Sequence, residues 1–301
     1  MNRHNTETTQ ILHRSVLLDT VPLNVCPVCD GREHRRLHTS HWGDLVICRG
    51  CQLTRLWSRA EPNYQEIYDE TYFTDNYLSI HALQGQTAEE ILTRVESLVR
   101  PGVLVDYGCG LGVLLGVAQG RGWSCLGLDS SPAALQMARS ELPDQVELRL
   151  LDEGAPTVME EESVRCLTFL DSLSNISEMP EVLAQSLRWL CPQGVVVVRT
   201  SYFPGRLRFL GWAAGRLNKT AGDLVFHMPQ RKWHFTPAPL TSLFRKHGLR
   251  IISMDFTEDY SRRRSIPRPR LRPRSIARWL LAQGQRHLVP KSSMLVIAQR
   301  Q

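Results

Sequence analysis

Two stretches of this sequence place reactive residue types at spacings suited to chemistry. The first is a pair of cysteine turns, "CPVC" at Cys26 to Cys29 and "CRGC" at Cys48 to Cys51, separated by 18 residues. Each turn sets two thiolates on one side of a tight loop, and together they can close a tetrahedral all-sulfur site. Zinc is the expected ion, with rubredoxin-like iron as the competitor, because iron accepts the same geometry. Four cysteines leave no open position for a substrate water, so the site is expected to be structural. His34, His38 and His41 lie between the turns and are read as ordinary polar residues.

The second stretch is "VDYGCGLG", residues 105 to 112, in which an apolar run ends in an acid and three alternating glycines. A strand running into such a turn commonly holds a cofactor, because glycines let a ligand approach the backbone at a helix amino terminus. A dinucleotide fingerprint needs a third glycine at position 113, which here is Val113. Asp106 decides further. A carboxylate beside a pyrophosphate would repel it, whereas it favours a ligand carrying an ammonium and a sulfonium. S-adenosylmethionine (SAM) is that ligand. Asp129, at the end of the next apolar run "LGLD", is placed to accept from ribose hydroxyls. Asp152 in "LLDEG" could accept from an adenine amino group or be a plain loop acid.

The elements that must position these residues alternate from residue 101 onward. "VLVDY", "SCLGLD", "VELRLL", "VRCLTFL" and "VVVVRT" read as strands, several of them continuous apolar runs suited to a sheet buried on both faces. "VLLGVAQGRG", "SSPAALQMARSEL" and "MPEVLAQSLRWL" read as helices, the second with Ser131 as N-cap and Pro132 in its first turn. Cys191 to Gly194 is expected to close the third. The pattern is that of a doubly wound α/β domain. Upstream, "TAEE" at Thr87 to Glu90 reads as a capping box opening a helix that presents Ile91, Leu92, Val95, Leu98 and Val99 on one face.

Composition agrees with a folded domain: 301 residues, 42% hydrophobic and 22% charged. The polar start "MNRHNTETTQ" has no apolar h-region, and no run approaches a transmembrane span. The expected location is therefore cytoplasmic, where thiols stay reduced. The net charge of +6 is uneven, with eight arginines and no acid between Arg262 and Arg278. Such a run attracts phosphate-bearing substrate, RNA or a membrane surface, or is simply a solvated loop. The helix expected after it, "SIARWLLAQGQRHLV", puts Ile276, Trp279, Leu280 and Leu281 on one side.

Taken together, "LVDYGCGLG", "GLDSSPAALQMAR" and "LRWLCPQGVVVV" resemble the class I SAM-dependent methyltransferases. The chain is similar to the ubiquinone-type and polysaccharide- or natural-product-cluster enzymes that carry an amino-terminal four-cysteine ribbon and a "YxxxYxxxYF"-like segment, here Tyr64, Tyr68, Tyr72 and Phe73. The resemblance covers roughly residues 23 to 257. It implies a doubly wound, seven-stranded Rossmann-like methyltransferase sheet ending in an antiparallel hairpin, "LRIISMDF" and "MLVIAQR", with a small N-terminal zinc ribbon. The expected organisation is a flexible tail at 1–22, the ribbon at 23–58, an aromatic linker and helix capping the cofactor site at 59–100, and the core at 101–257. An arginine-rich insert at 258–292 and a last core strand at 293–301 follow.

By that resemblance Asp106, Gly108, Cys109, Gly110 and Gly112 hold the methionine end of SAM. Asp129 and Ser130 hold the ribose, Asp152 lies near the adenine, Phe169 and Leu170 lie along the cofactor, and Tyr72 closes over it. The chain departs from the family at "LDSLSNI", where Ser174-Asn175 replaces the usual Glu-His. A hydroxyl or carbon acceptor still needs a base, for which His234, His227 and Asp171 are the candidates in that order. Each histidine could equally be structural. Tyr202 and Trp233 are expected near the acceptor. The function implied is methyl transfer to an O or C atom of a small molecule, a sugar or natural-product intermediate, with phosphate-bearing and lipid-linked acceptors among the options. Two rival readings are an RNA base methyltransferase gripping RNA with the ribbon and the arginines, and a non-catalytic SAM-binding protein. The ribbon lacks interleaved basic and aromatic positions for base stacking, and the Asn/Asp-Pro-Pro-Tyr tetrapeptide of amino-nitrogen methylation is absent.

Overall fold

The computed structural model describes residues 25–58, 67–76, 80–151, 159–257 and 292–301. The expected tail at 1–22, Tyr64, Asp152 and the arginine run with its amphipathic helix lie outside the described residues. The ribbon is a meander of β1 (His34–Ser40), β2 (Gly43–Cys48) and β3 (Thr54–Ser58). Gly43 makes its first turn possible: at φ +143° a Cβ there would lie 2.2 Å from the Trp57 carbonyl oxygen.

Two helices follow, α1 (Glu70–Asn76) and α2 (His81–Glu96). The capping box expected at Thr87 does not form. The upstream segment is rich in helix-compatible Ala, Leu and Gln, so the helix propagates back to His81. The Thr87 hydroxyl then donates to the Leu83 carbonyl at 3.0 Å, one turn back. Ile91, Leu92 and Val95 are buried as expected, together with Ala88.

The core then alternates: β4 (Val103–Tyr107), α3 (Val113–Gly120), β5 (Ser124–Asp129), α4 (Pro132–Glu141), β6 (Glu147–Leu150), β7 (Val164–Leu170), α5 (Met179–Trp189) and β8 (Leu190–Ser201). Ser131 caps α4 by accepting from the Ala134 amide at 3.1 Å. The turn expected at Cys191 to Gly194 survives as an excursion inside β8. Leu190 pairs with Val164, pairing resumes at Val195 with Cys166, and Gln193 between them adopts φ +61°.

Next come α6 (Gly205–Leu217), α7 (Lys219–Phe226), β9 (Trp233–His234), α8 (Pro237–Lys246), β10 (Leu249–Thr257) and β11 (Ser293–Arg300). The large sheet has seven strands in the order β10-β11-β8-β7-β4-β5-β6. Its β10–β11 and β11–β8 pairs are antiparallel and the rest are parallel. The chain leaves β4 outward through β5 and β6 and returns on the other side at β7. The carboxyl ends of β4 and β7 therefore flank the topological switch point, where open α/β sheets bind ligands. Among the described residues no helix is long and apolar enough to cross a membrane.

The ribbon is built into this core. Its fourth strand is β9, with Thr54 opposite His234 and Arg55 opposite Trp233. Cys26, Val28, Cys48 and Leu53 share one buried cluster with Trp233, Phe235 and Leu240. On the other side His38 of β1 inserts where α6 crosses α7. Its Nε2 lies 2.7 Å from Asp223 Oδ1, and a Cβ added to Gly215 or Gly222 would sit 2.5 or 2.4 Å from the ring. The two helices can hold the imidazole only because both positions lack a side chain.

Gly222→Ala is therefore expected to destabilise by roughly 1–3 kcal/mol through overpacking. Gly85→Ala in α2, where a Cβ meets nothing within 4 Å, should instead stabilise by about 0.5–1 kcal/mol. Denaturant unfolding of the two variants checks the opposite signs; equal midpoints would contradict the packing described.

Candidate functional site

The glycine turn between β4 and α3 takes a shape few other residues permit. Gly108, Gly110 and Gly112 all have positive φ, at +80°, +54° and +71°. A Cβ on Gly108 would lie 2.4 Å from Ser172 Cβ, and one on Gly112 would lie 2.5 Å from a Leu142 methyl. Gly110 differs: the nearest atom to its added Cβ is Phe73 Cε1 at 3.8 Å. The amides of Gly108 and Cys109 both donate to the Leu128 carbonyl, at 2.7 and 3.0 Å, tying the turn to β5.

Asp129 closes the other side. Its Oδ2 accepts from the Gly110 amide at 2.8 Å, and its Oδ1 accepts from the Ser131 amide at 2.9 Å. The Ser130 amide also bonds this carboxylate, and with about four acceptor positions in all it can still receive a hydroxyl donor. Asp129 is raised above the usual carboxylate range by burial, against the amide hydrogen bonds that lower it.

Asp106 lies deeper than its place beside the turn implies. It is 3% exposed and accepts from Thr168 Oγ1 at 2.6 Å across the β4–β7 pair. Burial pushes it up to about 7, Thr168 opposes that, and Asp129 raises it further. The acid is therefore buried beneath the turn rather than lining it. Cys109, Cys125 and Cys166 surround this region as buried thiols, all pushed up by burial with Asp106 adding to the rise.

The aromatic segment covers the turn. The Tyr68 carbonyl accepts from Ser131 Oγ at 2.7 Å. Phe73 is buried with Leu111 and Ala134. Tyr72 stands edge-on between them, 5.0 Å from the Tyr68 ring and 5.3 Å from Phe73. Phe169, fully buried, stacks on Tyr107 at 5.4 Å. Leu170 is half-buried beside them at the end of β7. The turn, Asp129, Ser131 and Tyr72 thus gather at the switch point, with Phe169 in the core at the end of β7, and this cradle fits an adenosyl group with a cationic tail.

The acceptor candidates are spread along the same sheet edge. Asp171 follows β7 in a left-handed conformation, φ +61°, and pairs with the Arg199 guanidinium, itself 3% exposed. His234 is 2% exposed; neither ring nitrogen has a hydrogen-bond partner. Its ring lies 4.4 Å from that of Phe203. Burial, then Arg231 and His227, drive it well below the usual histidine range, so it is neutral. His227 is exposed and ends α7 at φ +51°. Tyr202 forms a bridge to Phe235 and its ring meets Phe256 at 4.9 Å. Trp233 is buried, donating from Nε1 to the Ile176 carbonyl at 2.7 Å.

The Ser174-Asn175 pair lies in a 3₁₀ turn, Leu173–Asn175. Ser174 Oγ bonds Asn175 Oδ1 at 3.2 Å, and Asn175 Nδ2 donates to the Asp171 carbonyl at 3.2 Å. The pair braces the loop that carries Asp171. Thr168 and Arg199 went unnoticed in the sequence. Arg199 had a signal, a lone charge closing the apolar run "VVVV"; Thr168 had none.

The four ribbon cysteines come together as their spacing requires, with all sulfurs within 4.8 Å of one another. Cys26–Cys51 and Cys29–Cys48 Sγ pairs are each 3.5 Å apart. Gly31 and Gly50 leave room for Cys29 Sγ, which would lie 3.2 Å from a Cβ on either. An all-sulfur donor set of this size fits one tetrahedral metal ion.

Residues 79–254 match the family model described as "Methyltransferase domain". No curated protein matches the sequence. The fold is similar to that of the PH0226 protein from Pyrococcus horikoshii OT3, at 16% identity and TM-score 0.51, covering 80% of this chain and 100% of that one. It is also similar to a geranyl diphosphate methyltransferase solved in complex with SAM, at 19% identity and TM-score 0.51, covering 80% and 93%.

Asp106 has a folded-state value above its unfolded one, so the native state binds the proton more tightly. Its contribution is fully present below about pH 4 and is lost as pH rises to about 7. Asp106→Asn should remove a falling limb of up to about 4 kcal/mol between those values, leaving the one from Asp129. Urea unfolding across pH 4–8 checks this; an unchanged pH profile in the variant would contradict it.

Proposed function

This chain belongs to the methyltransferase-domain family and is a SAM-dependent methyltransferase, and we propose that its acceptor is an O or C atom of a small molecule, a sugar or natural-product intermediate. The observation that carries SAM dependence is the cradle at the switch point, and the acceptor class rests on the resemblance of the sequence motifs. The buried Asp106, the half-buried Asp129 and three left-handed glycines make a site suited to a cation-bearing nucleoside and hostile to a pyrophosphate.

When bound, SAM supplies a methyl group on a good sulfonium leaving group. In this reading Asp129 receives the ribose hydroxyls, alongside the Ser130 backbone. Gly108, Cys109, Gly110 and Gly112 offer a backbone surface to the methionine end, and Asp106 supplies negative field from beneath. Tyr72 and Phe73 shield the site from water, and Phe169 and Leu170 form its floor. Most of the rate can come from holding the acceptor in line.

A hydroxyl or carbon acid also needs its proton taken. Of the three candidates, His234 is placed first: as a neutral imidazole it has one ring nitrogen able to take a proton. Asp171, oriented by Arg199 and Asn175, and the exposed His227 are the alternatives. The arginine-rich insert is a candidate grip for a phosphate-bearing or lipid-linked acceptor. The cysteine cluster is proposed to hold a structural zinc ion that fixes the ribbon and, through β3, the strand bearing His234.

Purified protein mixed with methyl-labelled SAM and a cell extract should place label in the small-molecule or lipid fraction. His234→Gln should cut that transfer by roughly 10²–10⁴-fold with SAM affinity unchanged. Nuclease-sensitive label in an RNA fraction would overturn the acceptor class.

A further inference from the structure

Helix α6 has one face committed to the fold and one that meets no partner among the described residues. Leu207, Gly211 and Ala214 are buried, and Gly215 packs against His38. At 100° per residue, Arg206, Phe209, Ala213, Arg216 and Leu217 fall on the opposite side, with Trp212 at its margin. Phe209 is 68% exposed and Leu217 is 90% exposed, while Arg206 and Arg216 are exposed beside them. The Phe209 and Trp212 rings lie 5.7 Å apart, and the Arg216 guanidinium sits 4.9 Å over Trp212. No acid occurs from Pro204 to Gly222, whereas Arg206, Arg208, Arg216 and Lys219 do. The first acid, Asp223, is taken by His38.

We propose that the outer face of α6 docks on an anionic lipid surface. Aromatic rings and leucine flanked by arginines of one sign suit the boundary between headgroups and acyl chains. A folded partner would need a shaped acidic groove, and a second copy meeting this face about a twofold axis would set arginine against arginine. An anionic bilayer satisfies charge and apolar surface together without a fixed shape. The position of the helix adds a consequence. Gly205 follows the carboxyl end of β8 by four residues, so docking through α6 brings the ligand-binding edge of the sheet close to the membrane. The proposal concerns binding alone and stands whether or not the acceptor class above is right.

The test is cosedimentation of the full chain with phosphatidylcholine vesicles, with or without about 30% phosphatidylserine, and with brominated lipid as a quencher of tryptophan emission. The expected result is binding only to the anionic vesicles, with quenching that diminishes in Trp212→Phe. The double variant Phe209→Ser, Leu217→Ser, verified as folded by an unchanged thermal midpoint, should bind at least roughly tenfold less. The single change Phe209→Ser gives the same readout should the double variant not fold. Equal binding by wild type and variants, equal binding to neutral vesicles, or no vesicle binding at all would overturn the proposal. So would self-association in sedimentation velocity that these changes abolish while vesicle binding persists.

Discussion

Burying a carboxylate at the carboxyl end of a parallel sheet is costly, and at Asp106 one hydroxyl, that of Thr168, is the bond that offsets it. Much of the site follows from that constraint. A second acid, Asp129, raises Asp106 further, so a cation bound beside the pair would favour the ionised form of Asp106. Asp129 in turn holds the amides of Gly110 and Ser131, joining the turn to the start of α4. The glycines are then required: their backbone must bend left-handed within reach of that carboxylate and stay clear of Ser172 and Leu142. The outcome is a preformed cradle for a nucleoside that carries positive charge.

The ribbon shares in that rigidity. The β3–β9 pairing and the His38 plug between α6 and α7 fasten it to opposite sides of one loop region, residues 201–234. Lys246 reinforces the first knuckle, donating to the Pro27 carbonyl at 3.1 Å and meeting Asp30 at 2.8 Å. His234 is therefore held by backbone pairing to the cysteine-bearing module. A metal-closed ribbon would act on the site by positioning, with no part in the chemistry.

Much of the fold was legible in the sequence because it rests on local patterns. The glycine turn, the apolar strands, the Ser131 cap and the cysteine spacing each reflect constraints felt within a few residues. The pairing of β9 with the ribbon could not be read, since two residues, Trp233 and His234, carry no periodicity and pair across 180 positions of chain. The α6–α7 hairpin was equally hidden: its inner face mixes Leu207, Ala214, Val225 and Phe226 with glycines that admit a histidine from β1, so no continuous apolar stripe marks it. The start of α2 misled because a capping motif stands inside good helix-forming sequence. Asp106 was legible as a charge but not as a buried one, because its burial comes from β7 and from thiols on three different elements.

The central claim is that the cradle holds a cation-bearing nucleoside cofactor whose charge is felt by Asp106. Calorimetric titration of the wild-type protein with SAM at pH 7, in two buffers of different ionisation heat, tests it most directly. A cation that favours the ionised form of an acid titrating near 7 must release a fraction of a proton on binding. The account predicts a buffer-dependent binding heat with SAM, weakened in Asp106→Asn, and no binding heat with a nicotinamide dinucleotide. Dinucleotide binding, or SAM binding with no proton released, would contradict it.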